Sequence, residues 1–86
     1  MPEISRFLGI VIAMYYKDHA PPHFHAKYGE FRVSISIENL AVLEGDLPGR
    51  VLALVMEWAS LHKKELLEDW KRAIEKEPLM KIEPLV

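Results

Sequence analysis

Hydrophobic and polar positions recur with two different periods along this chain, and the change of period separates a strand-forming first half from a helical second half. Phe7 to Tyr16 reads F-L-G-I-V-I-A-M-Y-Y, β-branched and aromatic and too continuously apolar to have a watery face, which predicts a central strand. In Lys17-Asp18-His19-Ala20-Pro21-Pro22 two prolines remove backbone donors and predict an extended connection. Residues 23–28 and 31–37 read as two short strands joined at Gly29-Glu30, a hairpin signal. In the second of them Phe31, Val33, Ile35 and Ile37 share one face, while Arg32, Ser34 and Ser36 share the other. A short strand at 41–44, Ala41-Val42-Leu43-Glu44, follows a turn around Glu38-Asn39. The expectation is an antiparallel meander of roughly three to four strands with one wet face.

Gly45-Asp46-Leu47-Pro48 then signals a helix start, with Asp46 or the residue after it as cap and proline in the first turn. Val51, Val55, Trp58, His62, Leu66, Trp70 and Ile74, with Leu54 and Leu61 beside them, follow at spacings of three and four. Glu68 with Arg72 and Lys71 with Glu75 occupy the outer side. No glycine or proline interrupts the stripe, so one long C-terminal helix to about Glu75 is predicted, and the fold class is α+β. At 1.5 Å per residue such a helix would be roughly 42 Å long. It must therefore bend, near His62-Lys63-Lys64, or pack its far end on a second copy, and a homodimer is the expectation drawn from this. Pro78 and Pro84 fix an extended tail whose Leu79, Ile82 and Leu85 pack down.

With 86 residues and no cysteine, the chain is expected to be a single domain, 1–86, without disulfide support. The net charge of −2 arises from 11 basic and 13 acidic residues. Its imbalance is local: residues 37–47 hold Glu38, Glu44 and Asp46 and no basic side chain. A composition without a basic face counts against a protein that binds DNA chiefly by neutralising phosphates. The absence of cysteine excludes thiol catalysis and thiolate zinc sites. The start Met1-Pro2-Glu3-Ile4-Ser5-Arg6 lacks the features of a signal peptide, and the longest apolar run is about half a membrane span, so a cytoplasmic location and no membrane contact are expected.

The chemistry concentrates in His19, His23 and His25, three of the four histidines within seven positions. In an extended segment His23 and His25 point to one side, and Pro21-Pro22 can fold His19 back toward them. Imidazole both ligates metals and exchanges protons near neutral pH, which leaves three readings. His19, His23 and His25 are catalytic candidates as acid and base, with Lys27, Tyr28 or Arg32 steadying an anion, the inventory of a metal-free nuclease acting on the RNA 2′-hydroxyl; no cofactor is then needed. Alternatively His23, His25 and Glu30 hold a divalent metal, because His23-x-His25 with a carboxylate five residues later partly resembles the first ligand motif of the cupin family. In the third reading the imidazoles belong to a rigid, partly exposed edge loop and contact backbone or a partner protein. His62, on the buried stripe beside Trp58, is expected to be a hydrogen-bonded structural histidine unless the helix brings it to the cluster.

The stretches P-E-I-S-R-F-L-G-I-V-I-A-M-Y-Y-K-D-H-A-P-P-H-F-H-A-K-Y-G-E, L-E-G-D-L-P-G-R, E-W-A-S-L-H-K-K-E-L and K-I-E-P-L together resemble the prokaryotic family known as domain of unknown function 4160. The resemblance directs attention to Asp18, His19, Pro21, Pro22, His23, Phe24 and His25, with Trp58 and His62. It implies a small protein often encoded beside another short protein in a toxin–antitoxin-like pair. The expected function is thus a cytoplasmic component of such a pair, binding a small protein encoded nearby and presenting the histidines to RNA, with Asp18, Tyr28, Arg32 and His62 as partner or substrate contacts. The alternatives are the metal-binding module or metalloenzyme and a purely structural interaction protein.

Overall fold

The structure, a computed structural model, describes residues 2–86. Its five strands are β1 (Glu3–Phe7), β2 (Ile10–Ala13), β3 (His23–Tyr28), β4 (Phe31–Ser36) and β5 (Val42–Asp46), followed by α1 (Gly49–Leu61) and α2 (Lys63–Ile74). The strands form one antiparallel sheet in the order β1-β2-β3-β4-β5, so each pairs with its sequence neighbour and the class is α+β.

Two counts differ from the sequence expectation. The apolar run Phe7–Tyr16 is not one strand, because Leu8 and Gly9 form a two-residue turn with φ of 51° and 80°. Positive φ at both central residues is the turn whose twist matches a hairpin, and Phe7 accordingly faces Ile10 across it. Leucine at the first turn position hides the signal, and Gly9 alone reveals it. The sheet therefore has five strands, with β3 at its centre. The second difference lies in the helix, which breaks at His62 with φ −124° and ψ 24°. His62 N–H bonds back to the Ala59 carbonyl, while the His62 carbonyl accepts from Leu66 N–H, so one residue closes α1 and opens α2. Lys63 Nζ also donates to the Glu38 carbonyl beside the break. With 13 residues in α1, or about 20 Å, each helix fits within extents of 33 × 25 × 22 Å. The length argument for a second copy loses its premise.

Gly45 continues β5 beyond the predicted end at residue 44, at φ 80°, and a Cβ there would stand 2.2 Å from the Arg32 carbonyl. Only glycine permits β5 to approach β4 this closely. Asp46 consequently lies in the sheet opposite Arg32 rather than capping, and Pro48 occupies the N-cap without a side-chain bond.

Ile10, Ile12, Phe24, Ala26, Val33 and Ile35 from the sheet meet Val51, Val55, Trp58, Ala59, Leu66, Trp70 and Ala73 from the helices in one core. Phe31, Leu61 and Ile74, placed on the apolar faces by periodicity, are instead exposed near the element ends. The tail packs back: Ile82 N–H donates to the Ile4 carbonyl, and Asp69, fully buried on α2, accepts from Arg72 Nη1 at 2.8 Å and from Met80 N–H at 2.9 Å. Among the described residues no helix is long and apolar enough to cross a membrane.

Trp58 is completely enclosed, with Phe7 and Phe24 rings 5.7 and 6.0 Å away and its indole N–H donating to the Glu83 carbonyl at 2.8 Å. Trp58→Ala should cost about 3–5 kcal/mol, read by urea unfolding. A loss under about 1 kcal/mol would match a surface site rather than a core one.

Candidate functional site: a carboxylate beneath three imidazoles

Strand alternation sends Phe24 and Ala26 into the core and leaves His23 and His25 on the opposite side of β3. The connection from Lys17 to Pro22 then returns Asp18 toward that side, where its carboxylate forms the centre of the cluster. Asp18 Oδ1 accepts from the His19 backbone N–H and lies 3.0 Å from His19 Nδ1. Its Oδ2 is 2.9 Å from His23 Nε2 and 3.2 Å from His25 Nε2. All three histidines thus reach one carboxylate, the convergence expected from their spacing.

The far nitrogens are held as well. His23 Nδ1 donates to the Pro21 carbonyl at 2.7 Å, and His25 Nδ1 stands 3.4 Å from Ser34 Oγ. The His23 ring is buried between these partners and Trp70 of α2, with ring centroids 5.2 Å apart. Tyr15 meets the His25 ring edge-on at 4.4 Å. His19 is different, with 90% of its side chain exposed. Burial pushes the Asp18 carboxyl up, but hydrogen bonds from His25 and His19 and the charge at His23 outweigh it and hold the group at about 2. Asp18 is therefore a carboxylate at any physiological pH.

Both nitrogens of His23 face oxygens that only accept, the Pro21 carbonyl and the Asp18 carboxylate. A neutral imidazole carries one N–H and cannot satisfy both. The arrangement therefore suits an additional positive charge at Nε2.

Asp18, His23 and His25 offer ligand atoms within 4.8 Å of one another, the grouping a metal ion requires. Glu30, the carboxylate suggested by the partial cupin likeness, is not in this group: it lies exposed in the turn at the opposite end of β3. Spacing along the sequence selected Glu30, whereas the fold of the proline connection selects Asp18. His62 also stays apart, its Nδ1 2.5 Å from Glu65 Oε1 and its ring against Trp58. Tyr28 sits at the exposed hairpin end, and Arg32 lies on the sheet face that carries His25.

Two adjoining hollows open on that face. One, about 360 Å³, is lined by Val11, Tyr15, His25, Lys27, Arg32 and Glu44 among others. The second, about 290 Å³, is bounded by His19, His23, Pro21 and Leu43. Ser34 and Glu44 border both.

A five-stranded antiparallel meander with two helices on its apolar face and a two-histidine, one-carboxylate cluster at one end is the class that fold and site define. The chain belongs to the domain of unknown function 4160 family, whose model matches residues 9–71 and so includes every member of the cluster. No curated protein and no solved structure matches the chain significantly.

The burial of His23 separates the histidines by stability. His19→Ala should leave the unfolding midpoint close to wild type, as for a surface substitution. His23→Ala strips Asp18 of a donor beside Trp70 and should cost about 1–3 kcal/mol. Equal midpoints for the two variants in thermal denaturation would contradict this placement.

Proposed function

We propose that the protein is a divalent-metal-binding domain whose ligands are Asp18, His23 and His25. The observation that carries the reading is the orientation of His23: its Nδ1 is already committed to the Pro21 carbonyl, which aims Nε2 at the carboxylate oxygen it shares with His25. A second hydrogen bond that fixes the ring of a ligating histidine is the usual support of a metal site. Ligand atoms about 2.1 Å from one ion stand about 3 Å apart when adjacent around an octahedron. The separations of 2.9 and 3.2 Å from Asp18 Oδ2 to the two imidazoles agree with that figure.

Two imidazoles and one carboxylate suit ferrous iron, zinc, manganese or nickel rather than calcium or magnesium. Three protein ligands leave positions for water or substrate, the arrangement of a reactive centre rather than a structural one. Protein purified without an affinity tag and loaded with one equivalent of zinc should retain the ion through gel filtration, as read by elemental analysis. Asp18→Asn and His25→Ala should lose it, and Glu30→Gln should keep it. Retention by none of them, wild type included, would remove the metal and leave the cluster as a hydrogen-bonded clasp.

Partner binding within a two-protein unit is a second reading, favoured by β5. All five of its residues are exposed, and it forms one edge of the sheet. Val42 and Leu43 are apolar there, while Glu44 and Asp46 are acidic. An extended basic segment of the small protein encoded nearby would add as a further strand. Leu43→Lys combined with Asp46→Lys should abolish co-purification of the two proteins, and undiminished co-purification would remove this reading.

A further inference from the structure

Lys27 and Arg32 are register partners across β3 and β4, on the same sheet face as His25. Like charges placed directly opposite destabilise a strand pair, and among the described residues no acid forms a direct ion pair with either. Among the described residues neither side chain takes part in an ion pair, a hydrogen bond or a ring contact. Asp46 is the register partner of Arg32 on β5, and Glu44 borders the same groove, yet neither carboxylate comes within ion-pair distance of either cation.

The two cations line the 360 Å³ groove together with Val11, Ala13, Tyr15 and His25. The groove thus combines apolar side chains and one tyrosine ring with two cations that form no direct ion pair among the described residues, and Glu44 is its one acidic lining residue. His25, one residue of the proposed metal site, also lines it. Its volume lies in the range of small-molecule sites. A guanidinium presents a planar fork of donors that matches a tetrahedral oxyanion, and an ammonium adds a mobile point charge. Two cations match a dianion better than a monoanion.

We propose that this groove binds a phosphomonoester dianion, gripped by Arg32 and Lys27 so that the group it carries lies beside His25. The use of the site in catalysis rests on the metal reading, whereas binding itself needs only the two cations. Arg32 and Lys27 are then positioning residues for substrate, and Glu44 is the charge that limits affinity from the groove rim.

Isothermal titration on metal-free protein in chelator, and again after one equivalent of zinc, separates these dependences. The probes are inorganic phosphate, uridine 5′-monophosphate, the diester uridylyl-uridine and a short single-stranded RNA. Arg32→Gln and Lys27→Met alter exposed side chains without partners and relieve the like-charge pair, so neither variant should unfold earlier than wild type. Inorganic phosphate and the monophosphate should bind the metal-free wild type, each variant weakening both by about tenfold, the usual loss for a charge-assisted hydrogen bond. Glu44→Gln should tighten binding, and the diester should bind more weakly than the monoester. Wild-type protein that binds neither inorganic phosphate nor the monophosphate, or variants that bind as wild type does, would overturn the proposal. Binding that appears only with zinc and is unchanged in both variants would place the anion on the ion and overturn the groove assignment, leaving the metal reading intact. RNA bound more tightly than the monophosphate would overturn the ligand class. Failure to retain zinc with phosphate binding preserved would refute the metal site alone.

Discussion

A charged carboxylate that is largely enclosed by protein must find donors, and the fold around Asp18 supplies them almost entirely from imidazoles. This requirement organises the end of the sheet. One oxygen is satisfied locally by His19, next in sequence, while the other draws in His23 and His25 from β3. The Pro21 carbonyl and Trp70 then hold His23 from behind. Because His23 faces acceptors on both sides, the cluster is complete only when it contains one more positive charge than neutral residues provide. The geometry of His23 thus favours an added positive charge at this point of the cluster.

The two faces of β3 and β4 divide the labour of the molecule. Phe24, Ala26, Val33 and Ile35 enter the core with Trp58, while His25, Lys27, Arg32 and Ser34 occupy the other side. A period of two residues enforces this separation, so a slip of one residue in register would bury the cations and expose the core together. The packing that stabilises the domain therefore also fixes the alignment of His25 with the groove.

Much of this is legible in the sequence. Alternation over residues 31–37 assigns the polar face, and the i, i+2 spacing of His23 and His25 places both imidazoles together. The features that the sequence hides depend on tertiary geometry. Leu8 adopts positive φ because the hairpin twist requires it, and leucine gives no sign of that preference. The break at His62 contains neither proline nor glycine; the helix length alone points to a bend near His62, but no local residue marks the end of one helix and the start of another there. Asp18 rather than Glu30 is the central carboxylate because the proline connection folds back, which linear spacing does not encode. His23, expected at a partly exposed edge, is buried because α2 turns at that break and brings Trp70 over it.

The tail running beside β1 limits how the molecule can assemble. Ile82 ties it to Ile4, and Trp58 anchors it further through the Glu83 carbonyl, so part of the β1 margin is covered by the chain itself. Among the described residues the β5 margin has no such cover. A sheet with two bare margins can propagate from molecule to molecule without limit, which is the route to fibres. Among the described residues the tail covers part of one margin, so strand addition is directed to β5 and growth in both directions is hindered.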